Sequence, residues 1–96
     1  MRLRILPPAR EEIREAFDFF EARSPGLGHR FSRELAEAIE KVTESPLTWP
    51  RLDDETRKCS LRRFKYGVLY QLDANEIVVV AIMDLRRRPG YWRHRR

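Results

Sequence analysis

The sequence predicts an α+β domain in which an antiparallel sheet carries an N-terminal αα-hairpin on one face, in the order β-α-α-β-β-β. Three observations carry that expectation. Apolar residues recur at three- and four-residue intervals from Ala9 to Val42, the spacing of helix faces. Past a loop bounded by Ser45-Pro46 and Trp49-Pro50, the period changes to alternation. The chain then runs into seven consecutive apolar residues, Ile77 to Met83, as a strand buried on both faces would.

Each element has its own signal. Arg2 to Leu6 alternates polar and apolar residues, a short strand stopped by Pro7-Pro8, and one of those prolines can start a helix. From Ala9 to Arg23 the stripe is Ala9, Ile13, Ala16, Phe17 and Phe20. Ser24 reads as an N-cap with Pro25 in the first turn of a second helix, whose stripe is Leu27, Phe31, Leu35, Ala38, Ile39 and Val42. By these patterns the helices span about 15 and nearly 20 residues. Phe17, Phe20 and Phe31 are expected in the core, and Trp49 is expected to cover the end of the hairpin.

Thr56 to Arg62 sets Lys58, Ser60 and Arg62 on one side and Arg57, Cys59 and Leu61 on the other, so one face can be buried while the other presents cations. In Tyr66 to Leu72, Tyr66, Val68, Tyr70 and Leu72 share a face, which favours core packing over base stacking for both tyrosines. Asp73 to Glu76 reads as a hairpin turn with Asn75 in the left-handed region. Ile77 to Met83 takes the central position of the sheet.

A chain of 96 residues can build one modest core, so residues 1–96 form a single domain. The apolar stretch of MRLRILPP is too short for a signal peptide, and no run approaches the roughly 18 apolar residues of a membrane span, which predicts a cytoplasmic protein with no membrane partner. Cys59 has no partner for an intrachain disulfide, and with His29 and His94 it forms no zinc-ligand spacing. Gly26, Gly28, Gly67 and Gly90 fit no phosphate-binding loop. No metal or cofactor is expected.

Charge is unevenly placed. Residues 8–45 hold six basic and nine acidic residues, a balance of −3, whereas residues 46–96 hold twelve basic and six acidic, a balance of +6. A basic second half fits a polyanion or an acidic protein as partner. Its densest part is Asp84-Leu-Arg-Arg-Arg-Pro-Gly-Tyr-Trp92, at the end of the buried strand. There Arg86, Arg87 and Arg88, with Tyr91 and Trp92, read as a binding surface, and Lys58 and Arg62 add cations from the strand that begins near Thr56. Trp92 is expected to anchor packing, with Tyr91 as a site residue. Arg93 to Arg96 reads either as a phosphate-binding tail or as a solubilising end.

Three stretches in register resemble the RelE/ParE superfamily of toxins from bacterial type II toxin–antitoxin modules: Leu27-Gly28-His29-Arg30-Phe31, Phe64-Lys65-Tyr66-Gly67-Val68-Leu69-Tyr70, and Asp84 to Trp92. The resemblance covers nearly the whole chain. Lys65 stands where the family usually has proline, and Asp84 where it usually has histidine. The resemblance implies a growth-arresting toxin, associated with plasmid stabilisation and neutralised by a cognate antitoxin that wraps it.

Two branches imply two targets. ParE-like members bind DNA gyrase, and the long helical hairpin here resembles them more closely. RelE-like members cleave messenger RNA on the ribosome, and in that case Arg57, Arg63, Arg86 and Tyr91 are the catalytic candidates. Cleavage through a 2′-hydroxyl needs a base, stabilisation of a phosphorane and an acid. Arginine forks suit the phosphorane, but no general base is evident, and Asp84 reads better as an anchor for Arg86 than as that base. A third alternative is a non-toxic basic module that binds nucleic acid.

Overall fold

A computed structural model of the chain describes residues 1–96. Strand β1 (Arg2–Ile5) stops at Leu6, because Pro7 and Pro8 cannot donate to a ladder but fit the first turn of helix α1 (Pro7–Arg23). The carbonyl of Leu6 accepts the amides of Ala9 and Arg10, which opens that helix. Helix α2 (Leu27–Glu44) follows after three residues. Both helices exist where the periodicity put them, with 17 and 18 residues.

The cap of α2 differs from expectation. Ser24 ends α1, its N–H donating to the Phe20 carbonyl, and Gly26 takes the N-cap position with φ 90°. Capping comes instead from Glu21 on the preceding helix, whose two carboxylate oxygens accept the amides of Gly26 and Gly28, each at 2.9 Å. Those bonds hold the Glu21 carboxyl below the usual carboxylate range, the Gly26 amide being the largest cause. A Cβ on Gly28 would stand 2.8 Å from the Phe17 carbonyl oxygen, so glycine at that position lets the helices cross closely.

The remaining strands are β2 (Arg57–Ser60), β3 (Tyr66–Asp73) and β4 (Glu76–Asp84). They lie in the order β1-β4-β3-β2, so β4 is internal, as its apolar run requires. The sheet is mixed, not antiparallel throughout: β1 pairs parallel to β4. Alternation reports which face a side chain takes and is the same for either pairing direction, so the pattern of a four-residue strand left its direction open. In the turn, Ala74 takes the left-handed conformation expected of Asn75. The Asn75 carbonyl accepts the Arg2 amide at 2.8 Å and is held in place by β1.

Both faces of the sheet are covered. The helices pack on one face over Val68, Tyr70, Ile77, Val79 and Ile82, with Phe31, Leu35, Ala38 and Val42 from α2. Trp49 packs against this cluster, and the Tyr70 hydroxyl donates to the Pro46 carbonyl. Phe17 sits half-buried, edge-on to His29, at the margin of the core it was expected to join. The opposite face presents Leu69, Val78, Val80, Ala81 and Met83, and Trp92 closes it from the C-terminal segment.

A bulge interrupts the pairing of β3 with β4. Leu69 pairs with Ala81 while Tyr70 pairs with Val79, so Val80 is an extra residue in β4. The insertion changes which peptide groups face the side where β1 has already ended.

Candidate functional site

The site begins at the end of β4, where the Leu85 amide donates to the Lys65 carbonyl and the chain leaves the sheet. Asp84 Oδ1 accepts the backbone amide and Nε of Arg86, both at 3.0 Å, and Oδ2 accepts Nη2 at 2.9 Å. This bidentate fork fixes the Arg86 side chain while leaving it mostly exposed. The Arg86 guanidinium, first through its side-chain hydrogen bond, holds the Asp84 carboxyl below the usual carboxylate range. Asp84 is thus the anchor that its arginine neighbours favoured.

Gly90, with φ 94°, turns the chain so that Tyr91 and Trp92 fold back. The Arg87 guanidinium stacks 3.8 Å from the centre of the Tyr91 ring, a cation–π contact, and lies 3.9 Å from Glu12. Tyr91 donates its hydroxyl to Glu12 Oε2 at 2.8 Å. Burial first, and then the hydrogen bond to Glu12, pushes that hydroxyl far above the ordinary tyrosine range. Arg88 has no ion pair and remains exposed.

Glu12, on α1, joins these parts. Its carboxylate accepts the Ile82 amide at 2.9 Å, Tyr91 Oη, and both terminal nitrogens of Arg95 at 2.9 and 3.0 Å. Arg95 Nη1 also donates to the Val80 carbonyl at 2.9 Å. Val80 and Ile82 are the residues that the bulge turns toward the open side of β4, so the ion pair satisfies the strand edge where β1 runs out. The side chains of Glu12 and Arg95 are 11% and 13% exposed, which makes this the most protected ion pair in the molecule. Sequence reading missed Glu12, although a signal exists: at three and four residues from Ala9 and Ala16, it lies on the core stripe of α1.

Beside Arg87 and Asp84 lies a cleft of about 290 Å³, floored by Ala16, Tyr66 and Ile82. Phe19 stands on its rim, half exposed. The cleft offers an apolar anchor next to an arginine, a pairing suited to protein recognition.

The other expected site residues lie apart from this cluster. Arg57 donates to the carbonyls of Leu47 and Trp49 at 3.1 and 2.7 Å and ties down the loop before β2. Lys58 lays its stem over Gly67, where Leu85 also packs, and its ammonium has no ion pair. Arg62 pairs with Glu37 at 3.3 Å. The Arg63 backbone amide donates to Glu34 at 2.9 Å, and its guanidinium is unpaired. Arg57, Arg63, Arg86 and Tyr91 therefore hold four separate sets of partners.

The C-terminal arginines do not form a free tail. Arg93 pairs with Asp53 at 3.2 Å, Arg95 with Glu12, and Arg96 with Asp73 at 2.7 Å and Gln71 at 3.0 Å. Trp92 lies beneath them, 2% exposed, its indole N–H without a partner.

Residues 3–89 match the family model described as ParE toxin of type II toxin-antitoxin system, parDE. A solved structure titled "Chromosomal ParDE TA system from P. aeruginosa" superposes with a TM-score of 0.76 at 15% identity, over 85% of this chain and 92% of that one. At that identity the likeness shows the fold. No curated protein matches the chain.

Proposed function

Since this chain belongs to the family of ParE toxins of type II toxin–antitoxin systems, we propose that it arrests growth by binding DNA gyrase through the surface formed by Arg86, Arg87, Arg88 and Tyr91. The observation that carries this reading is the engagement of Asp84 and Tyr91, the two acid–base candidates within the arginine turn itself. Both Asp84 oxygens are taken by Arg86 and its carboxyl titrates low, which makes it a weak base. The Tyr91 hydroxyl is spent on Glu12 and titrates high, which makes it a weak acid. Arginine alone can steady a phosphorane but cannot complete the cleavage of RNA. An exposed Arg86 anchored by Asp84 and an exposed Arg87 stacked on the Tyr91 ring, next to a half-apolar cleft, are better equipped to bind protein.

A cognate antitoxin with an acidic and apolar segment is the partner that the charge asymmetry fits. Its neutralising segment and gyrase would compete for the same arginines if both use this face.

Tightly controlled expression in a bacterial host, with pulse-labelling of DNA and protein synthesis, tests the proposal against Arg86→Ala and Arg87→Ala. DNA synthesis should stop first, with translation initially spared, and each substitution should relieve the arrest. Purified toxin should inhibit supercoiling by gyrase. Immediate loss of translation relieved by Arg86→Ala would assign the cluster to RNA cleavage instead.

A further inference from the structure

Away from the Arg86 cluster, a second basic surface is built where α2 meets the loop between β2 and β3. Arg30 and Arg33, one turn apart on α2, and Arg62 and Arg63 from the loop line a cleft of about 290 Å³ with Glu34 and Glu37. It shares no lining residue with the cleft beside Arg87.

The two acids do not neutralise it. Glu34 is 6% exposed and spends its carboxylate on the Arg63 backbone amide, which pins the loop against α2. Glu37 takes only Arg62. Arg30, Arg33 and Arg63 have no hydrogen bond or ion pair from their guanidiniums and are exposed around a single concavity. With Arg62 the cleft holds four positive charges against two carboxylates, a balance of +2, and the three guanidiniums without partners favour an anion that can meet them together.

The lining identifies the class of anion. Arginine forks match phosphate oxygens bidentately. No apolar side chain lines the cleft, so it lacks the anchor on which a peptide's affinity rests. No aromatic ring lines it either, so it lacks the platform on which unpaired bases stack. What remains is a sugar–phosphate backbone whose bases are stacked elsewhere, contacted by charge alone. We propose that the cleft of Arg30, Arg33 and Arg63 binds the phosphodiester backbone of a nucleic-acid duplex without regard to sequence. This site does not depend on the gyrase reading, although a target that works on DNA would bring such a backbone near.

The test is fluorescence anisotropy of the full chain with a short labelled DNA duplex across a salt series, and compares two triple variants of equal charge. Arg30→Gln/Arg33→Gln/Arg63→Gln removes the cleft; Arg2→Gln/Arg10→Gln/Arg51→Gln removes three exposed arginines elsewhere. Each phosphate contact contributes roughly 0.9 to the slope of log affinity against log salt, so the cleft variant should flatten that slope by about 2 to 3 and bind at least roughly tenfold more weakly at low salt. The control triple should change both much less. Glu37→Gln, which frees Arg62, should tighten binding and steepen the slope by about 1.

The same variants with a duplex RNA identify the source: equal weakening on both supports a site for either backbone, and weakening on DNA alone assigns it to DNA. Equal losses in the two triples would reduce the effect to net charge and overturn the proposal. So would tighter binding of the single strand than of the duplex, or selective loss of an acidic peptide in the cleft variant. Circular dichroism of each variant confirms that the fold is kept.

Discussion

Glu12 shows how much one side chain can hold. It satisfies a strand amide, orients Tyr91 and secures Arg95, all within a nearly dry pocket. Removing one member of a protected ion pair strands the other, so Glu12→Ala should cost about 3–5 kcal/mol in urea denaturation. Glu12→Gln should cost less, because its amide oxygen can still accept the Ile82 amide. If the Arg86 surface is positioned through Tyr91 and Arg87, Glu12→Gln should also weaken target binding while the chain stays folded. Trp92 raises a different question, since its ring is buried but its indole N–H is unpaired. Trp92→Ala should cost about 3–5 kcal/mol through the cavity it leaves. Trp92→Phe should be milder, because it keeps an aromatic ring in the site and removes the orphan donor. The packing role of Trp92 was legible locally, but the partner of Tyr91 was not: the carboxylate that holds it lies 79 positions away.

The helical hairpin was largely legible, because its stripes recur within a few residues and need no distant partner. Its junction was not. A Ser-Pro pair carries a strong local preference for opening a helix, yet Glu21 supplies the cap from the neighbouring helix, and Ser24 ends α1. Gly28 marks the same junction. Gly28→Ala should cost about 1–3 kcal/mol by forcing the helices apart at the Phe17 carbonyl, and should appear as a lowered thermal midpoint. An unchanged midpoint would mean that the crossing has slack. The strands show the same division: β4 was identifiable from its apolar run, whereas the bulge at Val80 depends on register against β3.

Across the molecule, the basic excess of the second half is real but is spent unevenly. Arg93, Arg95 and Arg96 are paired with acids and help clamp Trp92 over the sheet, whereas Arg87 remains largely open and Arg88 unpaired. Ionised carboxylates hold the fold at three points: Glu21 at the helix junction, Asp53 beside Arg93 and Asp84 beside Arg86. Glu21 and Asp53, held low chiefly by backbone amides, and Asp84, held low by Arg86, all have folded values below their unfolded ones. Their contribution to stability is therefore present above the unfolded values of about 4 and is lost as the pH falls through the folded ones. Unfolding free energy from these groups should stay flat between about pH 7 and 5 and decline below about 4, and Glu21→Gln with Asp84→Asn should flatten the decline. Urea titrations at several pH values would check both. The sequence by itself determined the number and order of the helices and strands, the buried faces of α2, β2 and β3, the arginine and aromatic turn after β4 and the charge asymmetry, because periodicity and composition act over a few neighbouring residues. Only the tertiary structure decided the direction of β1, the cap from Glu21, the Glu12–Arg95 pair and the cleft of Arg30, Arg33 and Arg63. Each depends on groups brought together by packing, and Glu12 and Arg95, 83 positions apart, meet only because the sheet carries the chain's end back to its first helix.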